Sequence, residues 1–543
     1  MDRREKILTT LLVVLLLGTV LLSVKVTRRA AYNMIEGDAA TEMVLANYLS
    51  RTHEILTKEW VYSNELRVLF QQLVFTPLFS VISEWSRVRF VGTLIMQALM
   101  LFSFAFMMRQ AGQRRNAVLL GCTMLLVPYC VVYGRIGLYQ ALYLPYVTIG
   151  FLIVGLLISV GRYYQASKKV LSVISLIILC VFTFLACLNG IRTVAEVLIP
   201  AALVLAVHVF LTNSFLIGGD KKGSAILWGS AAAMLISGLA GYLVSSRILS
   251  EIYTIADFTD RTLAVRTYFR PSIWECILHQ FGYRTNIPLM SLTGILSLCG
   301  LFTAFYCYYS SACSFAAKET DLSAILFRRM LPVCTVCIAL EMILIENLEI
   351  STRYFISASV WMVPLLCSRA DEFLSRNEIL PKKCAYFLCI GLILANGFFN
   401  MLFFLNPDGI AKQTYEGLPE TNPKLVGDLK RSIDFLLEND YDFGFAPFWT
   451  AGTITEKTDG KIPVTAIWVY GQHMQPHKFL KLKYRDYQPA EKVFLLLDVT
   501  NAQYFPDFEV PFEWKEVYRD IHYVIYDVYD LDAIRAYLKE WDK

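Results

Sequence analysis

The chain has 543 residues, of which 56% are hydrophobic and only 18% charged, against about 25% charged in ordinary soluble domains. A mean hydropathy of +0.48 is too apolar for water-soluble cores, which need a charged surface, so a soluble enzyme, a disordered regulator, a collagen and a disulfide scaffold are excluded and a polytopic membrane protein remains. The net charge of +4 is uneven: from Asn406 onward 23 acidic residues stand against 16 basic ones, a charge of −7, while the rest of the chain carries +11.

Residues 2–6 are charged and precede an apolar run over 7–26, long enough to cross a bilayer. With no short apolar run and no small-residue cleavage site, this reads as an uncleaved first span with a cytoplasmic N-terminus. Further spans are expected over 88–108, 117–133, 141–160, 170–187, 194–212, 225–244, 287–307, 330–345, 355–367 and 384–405, about 11 in all. The loops this places inside carry basic pairs such as Arg114/Arg115, Lys168/Lys169, Lys221/Lys222, Arg328/Arg329 and Lys382/Lys383, as the positive-inside rule requires. An odd count puts the acidic tail outside. Two outer segments are long, 27–87 and 245–286, and loops of that length are usually functional. The expected fold is an α-helical polytopic plasma-membrane protein over 1–405 with a small extracytoplasmic α/β domain over 406–543.

In the tail, residues 423–439 have helical periodicity, with Leu425, Leu429, Ile433 and Leu436/Leu437 on one face. Thr458-Asp459-Gly460 signals a turn before a strand over 462–469, with further strands over 492–498 and 522–528 and a closing helix over 531–541.

The first outer segment opens with Glu36-Gly37-Asp38-Ala39-Ala40-Thr41-Glu42. Asp38 and Glu42 are spaced i,i+4, so a helix puts both on one face at the membrane surface. One carboxylate can act as general base towards a hydroxyl, and the other can position it or help hold a divalent cation such as Mg or Mn; a first-turn acid favoured by the helix dipole is the plainer account. In Trp60-Val61-Tyr62-Ser63-Asn64-Glu65, Ser63 or Asn64 suits a helix N-cap before an amphipathic stretch to Val81, and Trp60, Tyr62 and Trp85 suit a membrane interface.

A second group of charges gathers towards the outer leaflet: Arg192, Glu196, Glu341, Glu346, Glu349 and Arg353. Charges in spans are costly and usually face a cavity or a partner. Arg353, with Arg192 behind it and Arg135 and Tyr139 in a short turn, is a candidate for gripping a phosphate through a bidentate fork; pairing with the nearby glutamates is the alternative. Asp257, Asp260 and Arg261 are candidates for a lid or substrate loop. All 13 cysteines precede the tail, and Cys334/Cys337, inside an apolar stretch, suit helix packing better than metal or redox chemistry. His473 and His477 are i,i+4, but Pro476 opposes a helix there, so the sequence names no metal ligand set.

The acidic first loop, the segments WVYSNELRVLFQQLVFTPLF and VRFVGTLI, and FGFAPFWTAGTITEKTDGKIPV in the tail resemble the GT-C class of membrane glycosyltransferases, near the bacterial protein mannosyltransferase group. That resemblance implies transfer of a sugar from a polyprenyl-phosphate donor to a saccharide, lipid or protein acceptor at the outer face, with inversion. It also implies Asp38 as the first-loop catalytic acid, with membrane lipid but no nucleic acid among the partners. Gly37-Asp38 stands where many relatives have two adjacent acids. A lipid-linked sugar flippase and a polysaccharide polymerase are the rival readings. A flippase fits less well because no internal repeat is found and the charges lie near the outer surface.

Overall fold

The computed structural model describes residues 3–217, 221–256, 266, 272–284, 287–288, 290–317, 319–345, 348–370, 373, 380–406, 424–470, 473–483, 490–508 and 510–540. The chain divides into two compact units. One comprises Met1–Thr27, Leu94–Ser246 and Thr259–Thr421; the other comprises Arg28–Thr93, Arg247–Phe258 and Asn422–Lys543.

The first unit is helical. Over the whole chain, nine helices among the described residues are long and apolar enough to cross a membrane: Glu5–Asn33, Trp85–Gln110, Leu144–Gln165, Lys169–Cys187, Val194–Thr212, Lys221–Ile252, Leu292–Ala316, Leu322–Leu344 and Leu380–Leu405. Two expected spans are broken instead. The segment over 117–133 is a 12-residue helix, Arg115–Leu126, that ends at an extended Val127 before Pro128, which disfavours helical backbone in the residue preceding it. A buried π-helical turn, Tyr133–Tyr139, follows. The segment over 355–367 is three short pieces, Thr352–Phe355, Ile356–Ser359 and Met362–Ser368. Their apolar character comes from burial within the protein, with Leu125, Val127, Trp361 and Leu365 all buried.

Such a break frees backbone carbonyls, which need a partner where the segment is buried away from water. The last span answers the first of them: Asn400 Nδ2 donates to Pro128 O at 2.7 Å and Asn396 Nδ2 to Tyr129 O at 2.8 Å. All 13 cysteines are unpaired thiols, and Cys334 is buried with its Sγ against the Glu196 carbonyl at 3.7 Å, a packing role.

The second unit is an α/β fold. Strands β1 (Trp60–Val61) and β5 (Lys481–Leu482) pair antiparallel. The others are β2 (Phe443–Pro447), β3 (Val464–Tyr470), β4 (His473–Pro476), β6 (Val493–Asp498), β7 (Trp514–Arg519) and β8 (Tyr523–Val528). They form one sheet of order β4-β3-β2-β6-β8-β7, in which β2 runs parallel to both β3 and β6. The helix Lys424–Glu438 lays Leu429, Ile433 and Leu436 on a core with Phe494, Leu496 and Ile525. On the other face Phe443, Phe445, Leu495 and Val524 pack with Ile534 and Leu538 of the closing helix Leu531–Glu540.

Residues 28–93 build part of this unit. Trp60, Tyr62 and Trp85 are buried in its core rather than set at a membrane interface. Tyr62 is also fixed by its neighbours: its N–H donates to Thr254 O at 2.9 Å and its hydroxyl accepts from Thr57 N at 3.1 Å. The amphipathic stretch expected from Glu65 to Val81 is helical only over Gln72–Phe79, because Trp60–Val61 is committed to a strand pair and the following residues to irregular backbone.

Candidate active site

The first span continues as helix to Asn33, and after a three-residue turn a new helix, Gly37–Thr52, begins. Glu36 is its N-cap in extended conformation, and Asp38 stands in the first turn, where the helix dipole favours a negative charge. Asp38 is half-buried, and its backbone carbonyl accepts from Thr41 Oγ1 at 2.8 Å. Gly37 is dictated by contact. A Cβ there would lie 2.8 Å from Phe448 O and 2.9 Å from Trp449 Cα, so the Asp38 helix starts against the backbone of the tail helix Phe448–Lys457. A second acid at position 37 has no room. Gly37→Ala is expected to cost about 1–3 kcal/mol, the usual toll of overpacking, read as a lowered melting temperature. An unchanged melting temperature would mean that the two backbones separate freely.

A fully buried ion pair holds the same turn from the other side. Arg89, in the helix Trp85–Gln110, meets Glu456 of the tail helix through Nε at 2.5 Å and Nη2 at 2.6 Å. Nη2 also donates to Ala39 O at 2.8 Å, next to Asp38. Three segments are thus joined at the base of the candidate acid, and the sequence reading missed both partners.

Glu42 shares a helix face with Asp38, but it is buried and engaged. Its Oε1 accepts from Arg67 Nε at 2.8 Å and its Oε2 from Gln72. Arg67 in turn reaches Glu65 at 3.0 Å and lies over the Phe70 ring. Burial pushes the Glu42 carboxyl above the usual carboxylate range, against the opposing pull of Arg67 and Gln72. Glu42 is a fixed part of the wall beside Asp38.

In the helical unit, Arg192 sits among three tyrosines, its guanidinium carbon 4.7 Å from the Tyr146 ring centre, 5.3 Å from Tyr143 and 5.5 Å from Tyr354. Arg353 lies 5.5 Å from the same Tyr354 ring. Arg192 and Arg353 are therefore brought together, from the segment before the Val194–Leu198 turn and from the Thr352–Phe355 turn. Their acidic neighbours are Glu196, 3.6 Å from Arg192 and engaged by the Ser357 hydroxyl, and the exposed Glu349, 2.8 Å from Arg353. The tyrosine faces hold the guanidiniums by cation–π attraction. Tyr143 and Tyr146, at the start of a span, are further members that the sequence reading did not single out.

Arg135 and Tyr139 lie in the buried π-helical turn. Tyr139 packs edge-on against Phe404, and its hydroxyl has no hydrogen-bond partner among the described residues. Asp257, Asp260, Arg261 and Glu346 lie outside the described residues. Arg266, from the same outer segment, caps a helix end, donating to Met342 O at 3.1 Å and Ile345 O at 3.2 Å. His477 is buried between the rings of Phe448 and Trp468, with Nδ1 2.7 Å from Phe479 O, and burial holds it down to about 4. His473 is on an exposed strand position. No group of three His, Cys, Asp or Glu side chains among the described residues is placed to hold a metal ion. Both Glu42 oxygens accept hydrogen bonds within the protein.

The architecture is the GT-C-like fold expected from the sequence, an α-helical membrane unit with a small α/β domain. The structure is similar to that of ArnT from Cupriavidus metallidurans bound to undecaprenyl phosphate, with a TM-score of 0.54 and 12% identity over 96% of this chain and 98% of that one. Against ArnT in the apo state the TM-score is 0.53 at 11% identity, with the same coverage. The Archaeoglobus fulgidus oligosaccharyltransferase in the apo form aligns with a TM-score of 0.49 at 13% identity over 90% of this chain and 69% of that one. No family model matches the sequence, and no curated protein matches it.

Proposed function

We propose that this protein is a membrane glycosyltransferase that moves a sugar from a polyprenyl-phosphate donor to an acceptor hydroxyl of a saccharide, lipid or protein. The observation that carries the reading is a carboxylate, Asp38, in the first turn after the first span of a GT-C fold. Asp38 takes the acceptor proton as its oxygen attacks the anomeric carbon. The bond from that carbon to the phosphate oxygen breaks, and the lipid phosphate leaves with the electron pair. One displacement inverts the configuration. Arg192 and Arg353 bind the phosphate and stabilise the charge that builds on it. No step is assigned to a metal.

The test is transfer by the purified protein in proteoliposomes, with a panel of polyprenyl-phosphate sugars and release of polyprenyl phosphate as the readout. Sugar lipid that crosses the bilayer intact would mark a flippase instead. Within this reading Arg353→Lys loses the two-pronged grip on phosphate. It is expected to raise the donor KM roughly tenfold or more, the worth of one charge-assisted hydrogen bond, and to leave the acceptor KM alone. If Glu349→Gln has the same effect, Arg353 serves only its ion pair. The reading also places the tail outside the cell. Cysteine at the exposed Lys515 is expected to react with an impermeant thiol reagent on intact cells; labelling only after lysis would reverse the orientation.

A further inference from the structure

The first span does not stop where its apolar residues stop. Its helix runs on from Val26 to Asn33, with Arg28, Arg29 and Tyr32 exposed along this extension. At 1.5 Å per residue, Arg28 stands about 3 Å and Tyr32 about 9 Å beyond Val26 along the axis, so the extension passes through a headgroup layer of about 5–8 Å with Tyr32 at its outer edge. Arg28 and Tyr32 are one turn apart on the same face. Lys457, at the end of the tail helix, places its ammonium 3.8 Å from the Tyr32 ring centre.

Cationic groups meet there, with Asp434 and Glu438 acting on Lys430 from its own helix. Burial first, then Arg89 and Lys430, lowers Lys457 to about 8, although Glu456 opposes this. Glu456 gives both its oxygens to Arg89. Lys430, exposed on the helix Lys424–Glu438, is close enough for its charge to act on Lys457 and on Tyr32, and has Asp434 as its ion-pair partner at 2.6 Å. The tail carries −7 overall, yet these two of its lysines gather beside Tyr32, one helical turn beyond Arg28. Basic residues and a tyrosine at headgroup depth are the chemistry that receives lipid phosphates.

We infer that Arg28, Tyr32, Lys430 and Lys457 form a docking surface for the phosphate headgroups of anionic membrane lipids, on the side of the membrane where Asp38 stands. The proposal is independent of sugar transfer. The phosphodiester of the lipid accepts from the guanidinium and the two ammonium groups, while Tyr32 keeps Lys457 facing the headgroup layer.

The full-length protein is reconstituted in nanodiscs of phosphatidylcholine alone or with phosphatidylglycerol, and two quantities are read: the melting temperature and the number of phosphatidylglycerol molecules retained in native mass spectrometry. The wild type is expected to melt higher with phosphatidylglycerol. In Arg28→Gln/Lys430→Gln/Lys457→Gln the rise is expected to fall by at least half, with little change in phosphatidylcholine alone. Lys457→Arg, which keeps the charge over Tyr32, is expected to restore it. Arg28→Gln alone, at an exposed position that leaves the core intact, is expected to retain fewer phosphatidylglycerol molecules. An equal rise in the triple variant overturns the proposal. So does an unchanged lipid count in Arg28→Gln, or an equal rise from inorganic phosphate in phosphatidylcholine discs, which would make this a site for a soluble anion.

Discussion

On the proposed assignment, Asp38→Asn lowers the transfer rate by about 10²–10⁴, the usual contribution of a positioned general base, and leaves the protein folded and inserted. The separation of effects follows from local structure. Asparagine has nearly the shape of aspartate, Asp38 is only half-buried, and Thr41 bonds the backbone carbonyl of residue 38 rather than its side chain. The helix start therefore survives while the proton acceptor is lost. The measurement is turnover of the purified variant beside its melting temperature. Near-normal turnover in a folded variant would remove Asp38 from the chemistry.

The second large effect concerns stability. Arg89 and Glu456 are almost completely buried, and the pair is bidentate. Removing one partner strands the other charge in a dry interior, which typically costs 3–5 kcal/mol. Arg89→Met and Glu456→Gln are each expected to lower the melting temperature sharply, and Arg89→Met also takes the donor from Ala39 O. The double variant Arg89→Met/Glu456→Leu, with two apolar residues, is expected to be far more stable than the sum of the single losses predicts, because no uncompensated charge is left. Additive losses would show that the two residues contribute separately, and the ion pair would then not be what joins the Asp38 turn to the tail helix.

The membrane class, most spans and the outer elements of the tail were legible because each rests on local periodicity. The helix Lys424–Glu438 and the strands Val464–Tyr470, Val493–Asp498 and Tyr523–Val528 fall within a residue or two of their expected bounds. Hydropathy does not separate burial in lipid from burial in protein, so the broken segments 117–133 and 355–367 read as spans. The same ambiguity sent Trp60, Tyr62 and Trp85 to a membrane interface when they belong to a core. Strand β2 was missed because a strand flanked by parallel neighbours on both sides is buried on both faces and loses its alternation. The helix start that carries Asp38 was readable from its place after the first span, and the Arg353–Glu349 pair from its i,i+4 spacing. Arg89 and Glu456, 367 residues apart, have no local signature at all.

The break at Pro128 has a consequence for biosynthesis. The amides that satisfy the Pro128 and Tyr129 carbonyls belong to residues 272 and 267 positions later in the chain. At about 5–20 residues per second, roughly a quarter of a minute to a minute of synthesis separates the two. Throughout that interval the unwound segment has entered the insertion machinery and the donors for its carbonyls have not yet been translated. The nascent protein must therefore keep this turn in contact with water, or with the translocation channel, until the last span arrives. The span Leu380–Leu405 is the element that lets the turn be buried within the protein, and it is made after the other eight described spans.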